Sequence, residues 1–133
     1  MIELMPKTCN ICGGEVEFVP NTKIYGRFLK YGSKSGYCYH CVECGAVVGT
    51  HIAEPKKALG ILADENMRKL RQKNHDMFDK FWKNKAERKE CYDRLAVEMG
   101  IPAEECHFGY FDANQLNNAY AILIKWWYAK YDR

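Results

Sequence analysis

No run of apolar residues in this sequence is long enough to cross a bilayer. The most apolar stretch, Ala119 to Tyr131, is broken by Lys125 and falls short of the ~20 residues a spanning helix needs. Residues 1–6 have no basic start, no apolar run and no small-residue cleavage site, so no secretory leader is expected. Repeats and low-complexity segments are missing too. Charge of one sign is in little excess: 20 basic against 17 acidic residues leave a formal net charge of +3, too mild to imply nucleic acid by itself. No paired carboxylate or activated nucleophile of the kind a hydrolase needs is evident. Asp76 follows His75, but successive residues on a helix point about 100° apart, so the two cannot face one substrate. These absences lead us to expect a cytoplasmic, non-enzymatic protein with no membrane partner.

What is present argues for a folded chain. Apolar residues make up 47% and charged residues 28% of the 133, which suits a globular state rather than disorder. Seven of the ten glycines fall in residues 1–55, and only three in 56–133. In the first region Glu15–Val19 alternates polar and apolar, and Gly36–His40 and Ala46–Thr50 read as two more strands, separated by the turn signals Pro20-Asn21 and Gly32-Ser33. In the second, Met67, Leu70, Asn74, Met77, Phe78 and Phe81 recur at helical spacing to about Lys83, with Asp64 as the expected cap. A second helix places Cys91, Tyr92, Leu95, Ala96 and Met99 on one face and stops at Gly100 and Pro102. A last helix starts at Asp112, where Asp112 and Gln115 have the spacing of a capping box. The expected fold is α+β: an N-terminal lobe of short antiparallel strands, residues 1–55, packed as one compact unit on a C-terminal three-helix part, residues 56–133.

Two motifs in the strand-forming lobe, Cys9-Asn10-Ile11-Cys12-Gly13 and Cys41-Val42-Glu43-Cys44-Gly45, make it an expected zinc ribbon. Two residues between cysteines let both sulfurs reach one ion from a tight turn, and the following glycine permits positive φ. Four thiolates close a tetrahedral shell with no open position, so the site would be structural. Seven cysteines, an odd number, with two pairs at metal spacing in a reducing compartment, argue for one zinc ion over a disulfide framework. Cys38 shares the two-residue spacing with Cys41 and is an alternative to Cys44; His40 is a further alternative ligand. Cys91 and Cys106 read as buried thiols. The 28 residues between the knuckles make a longer hairpin than most ribbons carry. Large aliphatics are scarce in residues 1–55, so the metal is expected to supply fold energy, on the order of 10 kcal/mol in zinc-finger peptides.

The order of motifs resembles a small zinc-finger-containing family of unknown function, encoded largely by bacteriophages and prophages. The residues that carry the resemblance are the Cys9–Gly14 knuckle, Tyr25-Gly26-Arg27, the Cys41 knuckle with Ala46 and Val48-Gly49-Thr50-His51, and Leu59-Gly60 with Leu62-Ala63-Asp64. Further on they are Arg68, Arg71, His75, Phe78-Asp79, Trp82, Arg88, Tyr92, Leu95-Ala96 and Cys106-His107-Phe108-Gly109. Lys56-Lys57-Ala58 departs from the pattern, where a proline near Leu59 would be expected. The resemblance implies zinc and a mobile-element origin, and no activity. Some anti-CRISPR proteins of streptococcal phages are small zinc-containing proteins of this kind. That implies an inhibitor of a host protein, such as a Cas9-type nuclease; the alternative is a nucleic-acid-binding phage regulator.

Three surfaces are candidates for a partner. Lys69, Lys73, Lys80 and Lys83 form a stripe opposite Met67, Leu70 and Phe81, followed by Lys85, Arg88 and Lys89; residues 56–100 carry twelve basic and eight acidic side chains. The stripe could dock on phosphates or an acidic protein surface, or be a solvated face with Asp76–Lys80 and Asp79–Lys83 as i,i+4 pairs. In the ribbon hairpin, Tyr25, Arg27, Phe28, Tyr31, Tyr37 and Tyr39 could stack on bases, make protein hot spots, or form the ribbon's core. The last helix is apolar nearly all round, which means burial or a partner. Burial is expected, with Trp126 or Tyr128 partly exposed for a host protein or a homodimer. His51, His75 and His107 are expected to hydrogen-bond between the lobes rather than to catalyse.

Overall fold

The computed structural model describes residues 2–26 and 32–131, which form two compact units, Met1–Glu65 and Asn66–Arg133. Arg27, Phe28 and Tyr31, named above among the hairpin residues, lie outside the described residues.

The first unit is a three-stranded antiparallel sheet in the order β1 (Val16–Pro20), β2 (Tyr37–Cys41), β3 (Val47–Gly49). Its register pairs Val16 with Cys41, Phe18 with Tyr39, and Tyr39 with Val48. Because side chains alternate along a strand, these residues share one face. Cys9, Tyr39, Cys41, Ala46, Val48, Ala58 and Leu62 pack into a small core there, with Val16 against it. The short helix α1 (Asn21–Tyr25) that leads out of β1 has no counterpart in the periodicity of the sequence.

The compact unit also reaches past residue 55. The outer edge of β3 is paired by residues 57–63: Val47 and Ala63 exchange two backbone hydrogen bonds (2.9 and 3.1 Å), and Leu59 N–H donates to Gly49 O (2.9 Å). That segment covers an edge that would otherwise be open to another strand.

The second unit holds α2 (Glu65–Phe78), α3 (Lys85–Met99) and α4 (Ala113–Tyr131). The first of these ends earlier than its periodicity suggests: it tightens at Asp79–Phe81 into a 3-10 turn, and Trp82 is extended. Asn84 then caps α3, its Oδ1 accepting from Glu87 N–H at 2.9 Å, and Gly100 closes it in the left-handed conformation at φ 70°. The box at α4 is reciprocal: Gln115 N–H donates to Asp112 Oδ1 (2.8 Å) and Asp112 N–H donates to Gln115 Oε1 (3.0 Å). Leu95, Phe108, Phe111, Leu116, Leu123 and Trp126 are buried in this unit. Asn74 is fully buried and donates through Nδ2 to both Leu70 O and Leu116 O (2.9 and 3.0 Å), tying α2 to α4. Among the described residues no helix is long and apolar enough to cross a membrane.

Candidate metal centre

Each knuckle is a turn closed by its own backbone, and the two have the same pattern. Cys9 N–H donates to Gly14 O (2.8 Å) and Gly13 N–H to Cys9 O (3.0 Å); Cys41 N–H donates to Ala46 O (2.9 Å) and Gly45 N–H to Cys41 O (3.0 Å). Gly13 and Gly45 sit at φ 76° and 82°, where a β-carbon would be strained. Gly14 is needed for room: a β-carbon there would lie 2.4 Å from Glu43 Cγ.

These turns bring the Sγ atoms of Cys9, Cys12, Cys41 and Cys44 within 4.8 Å of one another. Cys9 and Cys44 are 3.8 Å apart, Cys12 and Cys41 3.4 Å. A tetrahedral zinc with bonds of ~2.3 Å sets its sulfurs ~3.8 Å apart, whereas a disulfide needs ~2.05 Å. The cage is sized for an ion and not for a bridge. Backbone amides aim at the sulfurs: Ile11 N–H at Cys9 (3.4 Å), Gly14 N–H at Cys12 (3.3 Å) and Cys44 N–H at Cys41 (3.5 Å).

The amide of Cys44 draws the Cys41 thiol down to about 6. The Ala46 amide acts the same way on Cys44, but burial and the sulfurs of Cys12 and Cys41 outweigh it and push that thiol up to about 12. Four sulfurs this close cannot all ionise without a cation between them. A closed all-thiolate donor set suits one structural zinc ion, and the residues present fit it.

Cys38 does not join this set. It lies on β2 three residues from Cys41, and so on the opposite face of the strand; it is buried, which raises its thiol. His40 is taken up by Glu17, with Nδ1 2.9 Å from Oε1. Cys106 is buried and pushed up to about 11 by that burial, and Cys91 is half-buried with its thiol directed at Phe81 O. Among the described residues the four cysteines are the one group with metal-binding geometry. His75 packs edge-on to Phe108 at 4.8 Å, and His107 against Tyr110 at 4.6 Å.

The partner-surface candidates divide. Lys69, Lys73, Lys80, Lys83 and Arg88 are exposed. Lys73 lies over the Tyr120 ring (4.1 Å), Lys80 over Trp127 (5.1 Å), and Arg88 over Tyr92 and Trp82 (4.9 and 5.7 Å). The expected i,i+4 ion pairs do not form among the described residues: Asp76 accepts from Gln72 and Asp79 from Trp82 Nε1. Trp126 is not a surface residue. It is 4% exposed, donates through Nε1 to Glu98, and is covered by Arg94 at 4.2 Å. Tyr128, 58% exposed, is the ring that faces solvent.

A further surface, to which the hairpin aromatics named above contribute Tyr37, lies on the first unit. Met5, Phe18 and Tyr37, all exposed, line a groove of about 540 Å³ with Glu54, Pro55, Lys56 and Lys57. Phe18 and Tyr37 stack at 5.2 Å and 10°, and beside them Tyr39 hydrogen-bonds Lys56 O through its hydroxyl (2.6 Å). Its signal is Phe18 and Tyr37 on neighbouring strands, visible only once their register is known.

A three-stranded sheet whose two knuckles close one four-sulfur cage, followed by helices, defines an α+β zinc-ribbon-type protein. The chain belongs to the DUF3268 family of zinc-finger-containing domains, which matches residues 5–125. No curated protein and no solved structure matches it.

Proposed function

We propose that this chain is a non-enzymatic protein-binding module of a phage or other mobile element, and most specifically an inhibitor that docks on a host defence protein such as a CRISPR nuclease. The observation that carries the reading is the groove beside Phe18 and Tyr37. Exposed aromatics in a concave site are the usual anchors of protein interfaces, and these stand on a sheet that the zinc cage would stiffen. Stiffness matters because an ordered surface loses less entropy on docking. Lys57 is paired with Glu54, which leaves Lys56 as the cation at the rim. The occupant that fits is a protein segment presenting an apolar side chain next to a carboxylate.

A closed zinc shell supports the non-enzymatic reading, because a catalytic zinc keeps a position for water or substrate. Purified zinc-loaded chain, mixed with each of a panel of Cas9-type nucleases, is expected to co-elute with one of them and to slow its DNA cleavage. Phe18→Asp with Tyr37→Asp is expected to abolish both effects while zinc stays bound. Neither co-elution nor inhibition at stoichiometric excess would contradict the reading.

A further inference from the structure

Helix α4 carries no carboxylate. From Ala113 to Tyr131 its charged side chains are Lys125 and Lys130, and five of its residues are Tyr or Trp. Its rings meet lysines of the preceding segment in a regular way. Lys73 holds its ammonium 4.1 Å from the Tyr120 ring centre; seven residues further along both segments, Lys80 lies 5.1 Å from the Trp127 ring centre. Seven residues are about two helical turns, ~10 Å, so the two cation–ring pairs repeat along one line. The Asn74–Leu116 hydrogen bond fixes that alignment. Both lysines are exposed and both rings half-exposed. The nearest carboxylates in sequence, Asp76 and Asp79, are engaged by Gln72 and Trp82.

A lysine over an exposed ring is held weakly, and a phosphate competes well for the ammonium. When the ammonium moves to a phosphate, the ring face it covered is open to a flat apolar group. A ligand that offers phosphates along a line, with an unpaired aromatic base beside each, uses both halves of every pair. A duplex hides its base faces, and an acidic peptide would leave the rings unused.

The geometry points to a second binding site on the helical unit: the Lys73–Tyr120 and Lys80–Trp127 pairs form a stacking track for single-stranded nucleic acid, DNA or RNA. The site is independent of the groove near Phe18, so either can fail without the other. Fluorescence anisotropy of the full zinc-loaded chain with labelled single strands of about 12 nucleotides, oligo-dT and oligo-rU, and with a duplex of equal length, tests it. One of the single strands is expected to bind at about 50 mM salt and to weaken steeply by about 200 mM; the tighter of the two identifies the polymer. Tryptophan emission is expected to fall on binding. Lys73→Glu with Lys80→Glu is expected to weaken binding at least about tenfold and flatten the salt dependence. Tyr120→Leu is expected to weaken it with the salt dependence unchanged, which separates stacking from charge. Variants are compared at unchanged melting temperature. The proposal is overturned if neither single strand binds at the lower salt, if the duplex binds as tightly, or if the double lysine variant binds like the parent.

Discussion

Asn10 and Leu62, 52 residues apart, hold each other by two hydrogen bonds: Asn10 Nδ2 donates to Leu62 O at 3.0 Å, and Leu62 N–H donates to Asn10 Oδ1 at 2.9 Å. The side-chain amide thus imitates a strand neighbour. It clamps the first knuckle to the segment that pairs with β3. Leu62 is fully buried, so its backbone groups would be left without partners if Asn10 were truncated. Asn10→Ala is expected to destabilise the first unit by on the order of 2–4 kcal/mol, read by urea unfolding of the zinc-loaded protein. A loss within experimental error would mean that the clamp is not rigid.

Trp126 is expected to behave as core. Its indole is enclosed by Phe81 (5.5 Å), Arg94 and Glu98. Trp126→Ala is expected to cost about 3–5 kcal/mol in the same measurement, while Tyr128→Ala leaves stability almost unchanged because that ring is in solvent. Equal effects of the two substitutions would contradict this division of α4.

That division shows where sequence reasoning runs out. The four zinc ligands are legible because a paired two-residue spacing followed by glycine has few uses in a protein besides gripping a metal. The α3 and α4 ends are legible because caps are local: Gly100, Asp112 and Gln115 act within a turn of themselves. A helix apolar all round gives no periodicity, so nothing in residues 113–131 says whether Trp126 or Tyr128 points inward. Asn10 is invisible in the sequence for another reason, since its partners are backbone atoms of Leu62, which any residue would supply. The run 57–63 joins the first unit through single bridges, too short for strand alternation to register.

His75 gives the second unit a pH dependence. Burial lowers its basicity below the usual 6.5; Asp79 opposes this and Arg88 adds to it. A histidine whose folded-state pKa lies below its unfolded one costs nothing above pH 6.5, where it is neutral in both states. As pH falls through 6.5 the unfolded chain takes up the proton first, and folding stability drops until the lower folded-state value is passed. Urea midpoints at pH 7.5 and 5.5 are therefore expected to fall less for His75→Gln than for the parent. Comparing the two chains cancels the acid sensitivity of the thiolates, which both share. A parent with the smaller fall would reverse the sign and refute the assignment.

Removal of the metal is expected to unfold the first unit, because its core is small and the knuckles have no disulfide to hold them. With excess chelator, the amides of Cys41, Val47 and Leu62 are expected to exchange with solvent hydrogen far faster than in the zinc form. Unchanged protection there would show that the strands hold without the ion.

Zinc content per chain is the most direct test of the cage, measured by elemental analysis on the parent, Cys44→Ser and Cys38→Ser after exhaustive dialysis against a competing chelator of moderate strength. The expectation is one zinc for the parent, one for Cys38→Ser, and well under one for Cys44→Ser. A parent without stoichiometric zinc, or a metal lost from Cys38→Ser and kept by Cys44→Ser, would contradict it.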